Sequence, residues 1–392
     1  MQPAILTVNA GSSSLKFAAF AQTAEPSLLL RGSIEGVGTA PRFAAEDANG
    51  CALAGPPDVL AIANHDDAIA RFLDWLAEQG GLDLRVAGHR VVHGGVTRTA
   101  PARVDGALIE ELTALAPLAP HHQPHNVAAI RALTRRVPDL PQIACFDTAF
   151  HASQPAMARR YALPRELEEA GIRRYGFHGL SYEYLVGVMP GIVGHMPRRL
   201  IALHLGNGAS LCAILDGRSV ATTMGFSTIE GLMMGTRAGS IDPGVLLHLM
   251  REHGMGHEAL TDLLYNRAGL KGVSGISSDM RVLLASADPR AAEAIELYCY
   301  RIVREIGAAA AALGGVDALV FAGGVGERAA PIRKRILATL GWLGLELDDA
   351  ANSAGAQRIT TPSSATNAWV VPTNEELVIA RQARAVLQAG AN

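Results

Sequence analysis

"ILTVNAGSSSLKFAAF", Ile5 to Phe20, and "ALHLGNGASLCAIL", Ala202 to Leu215, share one pattern: an apolar strand, a small polar turn and a second apolar strand. Laid over one another at an offset of 197 residues, they bring Gly11 onto Gly208. Such turns let backbone approach a ligand closely and let unhindered N–H groups converge on an anion. Two related α/β halves, each offering a glycine-rich hairpin toward a common cleft, is one reading of the repeat. Chance likeness of two ordinary hairpins is the other.

Outward from the hairpins, short apolar runs alternate with helical patterns, which argues α/β. "LRVAGHRVVH" precedes helices near 107–117 and 123–136, and "RRVPDLPQIACFDTAFH" closes the first block with a buried-type strand ending in a polar tip. We place the domain change near residue 150, giving domains 1–150 and 151–375. "VMPGIVGHMPRRL" reads as a connector before the second hairpin. Three strands follow from 199, then a largely helical stretch from about 242 to 313, then the strand-loop-helix unit "ALVFAGGVGERAAPIRKRIL". A last strand, "NAWVVP", leads into a C-terminal helix over 376–392, which completes the first domain.

Composition narrows the function. A chain of 392 residues exceeds what one core usually serves. Its net charge of −3 offers no field for nucleic acid or an acidic membrane, so electrostatics point to small-molecule work. Four cysteines (Cys51, Cys145, Cys212, Cys299) lie far apart with no C-x-x-C, as in a reduced, cytoplasmic chain. The N-terminus lacks a secretory pattern, and the longest apolar stretch is broken by glycines and Asp317, so neither secretion nor a membrane span is expected.

Three glycine-rich turns could meet phosphate: Asn9–Ser14, Gly206–Ser210 and Gly323–Glu327. None fits G-x-x-x-x-G-K-[ST] or G-x-G-x-x-G, and each alone reads more readily as an ordinary hairpin or strand-to-helix turn. "SSLK" satisfies the S-x-x-K of penicillin-recognising acylases, but S-D-N and K-T-G are missing. "GHRVVHGG" ends an apolar strand in Arg90 and His93 before two glycines, and "HHQPHN" bunches His121, His122 and His125 at a helix start, where zinc is the rival reading. "FDTAFH" ends a buried strand in Asp147, a usual place for a functional carboxylate in open α/β sheets. "SSDMR" offers Ser277 or Ser278 as a helix cap, and "TNEEL" puts Glu375 and Glu376 where a helix dipole favours acids.

Together, "VNAGSSSLKF", "GHRVVHGG", "FDTAFH", "YGFHGLSY", "HLGNGASL", "MGTRAG", "SSDMR", "GGVGE" and "TNEEL" run in order from residue 5 to about 385. In this series the chain resembles the acetate kinase family over nearly its whole length. The resemblance implies two duplicated ribonuclease H-like (actin/Hsp70-like) α/β domains with the nucleotide cleft between them, assembled as a homodimer. It implies transfer of the ATP γ-phosphoryl group to a short carboxylate, acetate foremost, giving acyl phosphate and ADP, reversibly. Because a carboxylate is already ionised at neutral pH, cations and neutral donors are the expected catalysts.

By match to the family motifs, Arg90 and Arg237 would clamp the carboxylate and the transferring phosphoryl, and His178 would donate to its equatorial oxygens. Bidentate guanidinium geometry suits both oxyanions. His122 would support this cluster and Asp147 would orient the arginine. Asn9 and Glu375 would form the Mg²⁺ site, with Mn²⁺ the alternative, held partly through water. Ser12, Ser14, Lys16, His204, Gly206, Asn207 and Gly208 would hold phosphates. Asp279, Met280, Arg281 and the Gly323, Gly324, Val325, Gly326, Glu327 run would hold adenosine. Val92, His121, Phe177 and Thr228 would wall the acyl methyl group.

Some positions depart from the family. His121 stands where leucine is usual and Thr228 where proline is usual, which leaves propionate or a more polar small acid as the alternative substrate. Ala238 and Ser240 replace Ser and Asp, removing a carboxylate that could fix Arg237, and Arg328 replaces an asparagine on the nucleotide side. A conformational ATPase on the same fold would not need Arg90, His178 and Arg237 together. A sugar kinase would want an aspartate base beside a hydroxyl acceptor.

Overall fold

The computed structural model describes residues 1–56 and 58–390, which fall into two compact units: 1–150 with the chain from Asn374 on, and His151–Thr373. Among the described residues, no helix is long and apolar enough to cross a membrane.

The first unit is built on an eight-stranded sheet in the order β5-β4-β3-β2-β1-β6-β8-β7. Its strands are β1 (Gln2–Ala10), β2 (Ser14–Ala21), β3 (Leu28–Glu35), β4 (Arg42–Asp47), β5 (Ala52–Leu53), β6 (Leu82–Val91), β7 (Ala102–Arg103) and β8 (Gln142–Phe146). Central strands buried on both faces carry unbroken apolar runs rather than alternation. Ala4 to Val8 of β1 and all of β8 are buried accordingly.

The helix His65–Gln79 starts where the Asn64 side chain accepts the Asp67 N–H at 2.9 Å and stops at Gly80, with φ 67°. Its buried Phe72 lies 4.1 Å, centroid to centroid, from Phe17 of β2. The helix Glu375–Ala389 lies against β6; a side-chain carbon at Gly88 would fall 2.5 Å from Ile379 Cγ2, so only glycine lets it sit so close. Of the expected 376–392 helix, positions 391 and 392 lie outside the described residues.

The second unit has a five-stranded sheet in the order β11-β10-β9-β12-β13. The strands are β9 (Arg199–Leu205), β10 (Ala209–Leu215), β11 (Arg218–Thr222), β12 (Ala318–Ala322) and β13 (Asn367–Val370). β9, β10 and β11 pair antiparallel in turn, whereas β12 pairs parallel with both β9 and β13. In the first unit β3-β2-β1-β6-β8 repeats this order and these directions strand for strand. Chance likeness of two hairpins does not produce that correspondence, so the repeat is a duplication of a five-stranded unit.

Three local readings need correction. The first half of the stretch taken as a connector is the end of a helix, Gly179–Val193, which carries Pro190 in its last turn and closes at Gly194 with φ 84°. A proline so near the C-terminus costs one hydrogen bond and leaves the preceding turns intact. "GGVGER" is not a turn: β12 passes directly into the helix Gly323–Arg328. In "SSDMR" the cap is Asp279 itself, which accepts the Arg281 N–H at 2.9 Å.

Candidate functional site

In the first unit, β1, β6 and β8 run parallel through β6, so their C-terminal ends lie at one edge of the sheet. Open α/β sheets bind ligands at that edge. Asn9 sits at the end of β1, Arg90 at the end of β6 and Asp147 one residue past β8. Arg90 grips the buried Asp147 carboxylate in a fork: Nε lies 3.1 Å from both oxygens and Nη2 lies 2.6 Å from Oδ2. Its Nη1 donates to Asn9 Oδ1 at 3.4 Å, and Glu375 Oε2 lies 3.8 Å from Nε. Burial opposes the Arg90 charge, but Asp147 and then Glu375 outweigh it and hold the guanidinium above its ordinary pKa.

Glu375 opens its helix, behind the cap Asn374, whose Oδ1 accepts the Leu377 N–H at 3.0 Å. Burial raises its pKa, and the charges of Arg90 and Lys16 act against that rise. Lys16 is exposed on β2, opposite Asn9 in the β1–β2 register.

The "HHQPHN" segment does something its histidines did not announce. His122 is the N-terminal flank of the helix Gln123–Arg136 and His121 is exposed. The fully buried neighbours Gln123 and Asn126 do the fastening. Asn126 accepts the Val92 N–H at 3.0 Å and donates to Ala10 O at 2.8 Å, while Gln123 accepts the His93 N–H at 3.2 Å and donates to His93 O at 3.1 Å. They tie the loop after Arg90 to the β1 tip. The signal in sequence was two amides three apart at a helix start, which places them on one face.

In the second unit the β9–β10 hairpin, with Gly206, Asn207 and Gly208 at its tip, carries a neutral network. His178 Nδ1 lies 2.8 Å from Ser210 Oγ, which is 2.5 Å from the Tyr182 hydroxyl. His204 Nδ1 lies 2.8 Å from Ser181 Oγ, and the two imidazoles stack at 4.3 Å. A side-chain carbon at Gly208 would fall 3.5 Å from His178 Nε2 and 3.7 Å from both terminal nitrogens of Arg237. Backbone, imidazole and guanidinium thus converge on one small space at the hairpin tip. Ser181, Tyr182 and Ser210 were not singled out in sequence, because only the fold brings them beside the two histidines.

Arg237 Nη1 donates to Thr228 O at 3.0 Å. Ser240, in place of a carboxylate, serves the loop instead: its N–H donates to Gly231 O at 2.9 Å and its Oγ accepts from Gly231 N. The same loop is fastened to a π-helical turn, Leu263–Arg267, through Thr236 Oγ1 to Tyr265 O at 2.7 Å and Ala238 N–H to Leu264 O at 3.3 Å. The Tyr265 side chain lies near those of Thr228 and Ser227. Phe177 and Thr228 are buried here, as Val92 is in the first unit.

Asp279 and the exposed Arg281 form a local fork, 3.0 Å at Nε and 2.6 Å at Nη2, with Met280 buried beneath. In the Gly323–Arg328 helix, Gly324 is exposed, and Glu327 Oε1 turns back to accept the Gly323 N–H at 2.9 Å. Ser12 and Ser14 lie on the first hairpin, where Gly11 N–H donates to Ser14 O at 2.8 Å.

The sequence profile of the Acetokinase family matches residues 4–381. The chain is 51% identical over 389 residues to the acetate kinase of Rhodopseudomonas palustris (strain ATCC BAA-98 / CGA009), covering 97% of this chain and 98% of that one. It is 47% identical to the acetate kinase of Rhizobium meliloti, over 98% and 99% of the two chains. Among solved structures it is similar to a propionate kinase from Francisella tularensis, with TM-score 0.91 and 34% identity over 98% of this chain and 99% of that one. Porphyromonas gingivalis acetate kinase gives TM-score 0.88 and 35% identity over 98% and 100%. A match of this extent, over both halves of the duplication and every motif that carries the site, means that the chain belongs to the acetokinase family.

Proposed function

We propose that the protein transfers the γ-phosphoryl group of ATP to acetate, reversibly, by direct in-line displacement. The observation that carries this reading is how Asp147 is engaged: its carboxylate is buried and gripped through three contacts by Arg90. Such a carboxylate orients a cation and is ill placed to serve as a base for a hydroxyl, which a sugar acceptor would need. A carboxylate acceptor needs none. What it needs is charge compensation as one anion approaches another, and Arg90, Arg237 and His178 supply cations and an N–H donor.

In this reading Arg90 and Arg237 bind the acceptor carboxylate and the transferring phosphoryl, and His178 Nε2–H donates to an equatorial oxygen. His122 supports them. Val92, His121, Phe177 and Thr228 surround the methyl group. Ser12, Ser14, Lys16, His204, Asn207 and the hairpin glycines receive the phosphates. Asp279, Met280, Arg281 and the Gly323–Glu327 segment receive adenosine.

Asn9 and Glu375 would hold Mg²⁺. Both place an oxygen beside the same guanidinium, at 3.4 and 3.8 Å, and burial, which raises the Glu375 pKa, would be relieved by a divalent cation. Among the described residues no group of three or more His, Cys, Asp or Glu could hold a metal ion, so water and phosphate oxygens would complete the shell, as Mg²⁺ prefers. When bound, the ion would neutralise charge on the phosphates. The reading also includes a homodimer in the cytoplasm, with light scattering as the check on assembly.

The test is a panel of short carboxylates with ATP and Mg²⁺, trapping acyl phosphate as hydroxamate. Acetate should give the highest kcat/KM, with propionate next. ATP hydrolysis without hydroxamate from any acid would replace this reading with a conformational ATPase.

A further inference from the structure

His178 adopts a left-handed backbone, φ 58° and ψ 25°, which non-glycine residues rarely adopt unless their surroundings impose it. Against this turn stands the last residue of "FDTAFH", a histidine with no role so far. His151 is 1% exposed, and its Nε2 lies 2.9 Å from the carbonyl oxygen of Phe177, the peptide that leads into His178. A carbonyl only accepts, so Nε2 carries the hydrogen. His151 Nδ1, 2.9 Å from Ser219 Oγ, is then the acceptor of the serine hydroxyl. Ser219 is itself anchored, its carbonyl accepting from Ser153 Oγ at 3.0 Å.

The ring is also a wall. Gly176, at φ 81°, passes so near that a side-chain carbon there would fall 2.6 Å from His151 Cγ and 2.7 Å from Cδ2. The Tyr182 ring packs against it edge-on at 5.6 Å, and Tyr182 reaches the Ser210 hydroxyl that meets His178 Nδ1. His151 therefore touches the Gly176–His178 backbone by a hydrogen bond and by ring contact, and the His178 side-chain network through Tyr182. Burial pushes its pKa down to about 4, which keeps the ring neutral at working pH, and the Phe177 carbonyl selects its tautomer.

We propose that His151 is a positioning residue for phosphoryl transfer: its Nε2–H holds the Phe177 carbonyl and thereby fixes the left-handed turn that aims His178. This rests on the reading that His178 donates to the transferring phosphoryl. It assigns a function to the end of a motif whose aspartate alone had been given one, and it explains why glycine must precede Phe177.

Three substitutions separate the donor from the bulk of the ring. His151→Gln can place an N–H where Nε2 stood, His151→Asn is polar but too short to reach, and His151→Leu fills the space without a donor. Active sites are counted from the stoichiometry of ADP binding by calorimetry, so that misfolded protein does not enter kcat. We expect kcat to fall about 30-fold or more in the Asn and Leu variants with KM for ATP within about twofold, and most of it to return in His151→Gln. Full kcat in His151→Leu, or His151→Gln as impaired as His151→Leu, overturns the proposal.

A measurement on the unmutated protein guards against variants that fail to fold. With ¹⁵N-histidine labelling, the buried imidazoles should show neutral patterns unchanged from about pH 5.5 to 8, and the one Nε2–H signal that vanishes in His151→Gln is that of His151. An Nδ1–H tautomer, or titration near the ordinary histidine pKa, overturns it as well. A wild-type protein that forms no hydroxamate overturns the kinase reading and this inference with it; an active wild type indistinguishable from His151→Leu overturns this inference alone.

Discussion

The two halves of the duplication share a sheet and a hairpin but solve the problem of holding a functional group in opposite ways. In the first unit Arg90 is fixed by charge, forked onto the buried Asp147 and flanked by Glu375. In the second, the imidazoles of His178 and His204 are fixed by neutral partners, the hydroxyls of Ser210 and Ser181, and Arg237 leans on a backbone carbonyl. Charge partners fix a guanidinium strongly, at the cost of making the fold depend on it. Neutral partners fix tautomer and direction.

That contrast predicts different failures for the two arginines. Arg237→Ala should lower kcat by about three powers of ten or more, because it removes charge complementarity to the transition state, while Tm shifts by only a few degrees. Arg90→Ala should lose as much activity and also about 3 kcal/mol of stability, since Asp147 is left buried without its cation. Denaturant unfolding beside hydroxamate kinetics separates the two outcomes. Equal stability of both variants would remove the distinction between charged and neutral support, and near-normal turnover of Arg237→Ala would remove its assigned role.

Acid should test three deeply buried histidines, two in the first unit and one in the second. Burial lowers His89, His93 and His151 from 6.5 to about 4. With the folded pKa below the unfolded one, the unfolded chain binds the extra protons between those values. Stability from these groups is therefore complete above pH 6.5 and is lost as pH falls toward 4, by up to about 1.4 kcal/mol per histidine per pH unit. His89, bonded to Gln142 Oε1 at 2.7 Å, is the cleanest probe. His89→Gln should flatten the fall of Tm between pH 6.5 and 4.5 by about a third. An unchanged slope would mean that His89 does not stay neutral in the folded chain.

The alternation of strands and helices made the fold class legible, and the glycine-rich turns made the hairpins legible, because both depend on local spacing. The duplication was only half legible: two hairpins matched in sequence, whereas the matching order of all five strands rests on pairings between residues far apart. Arg90, Asp147, His178 and Arg237 stood out through the resemblance to a family. What held them did not. Gln123, Asn126, Ser210 and His151 look like ordinary helix, strand and turn residues until the fold places them within 3.2 Å of a functional segment. The N-cap in "SSDMR" was missed because Ser277, Ser278 and Asp279 are all good caps, and propensity alone does not choose among neighbours.

The smallest expected effect concerns Thr228 and His121, the two polar positions in the acyl wall proposed above. Thr228 has two functions that a substitution can separate: its carbonyl receives Arg237 Nη1 at 3.0 Å, and its side chain meets Tyr265 from the π-helical turn. Proline keeps the carbonyl and deletes the hydroxyl, and His121→Leu replaces a polar ring by an apolar side chain. The double variant Thr228→Pro with His121→Leu should therefore keep kcat within about threefold while raising kcat/KM for acetate over larger or more polar acids by about fivefold, a typical consequence of one small change in a pocket wall. Competition between acetate and propionate in one hydroxamate assay reads the ratio directly. A collapse of kcat would show that the Thr228 side chain, and not only its carbonyl, holds Arg237. An unchanged ratio would show that the two positions do not set selectivity.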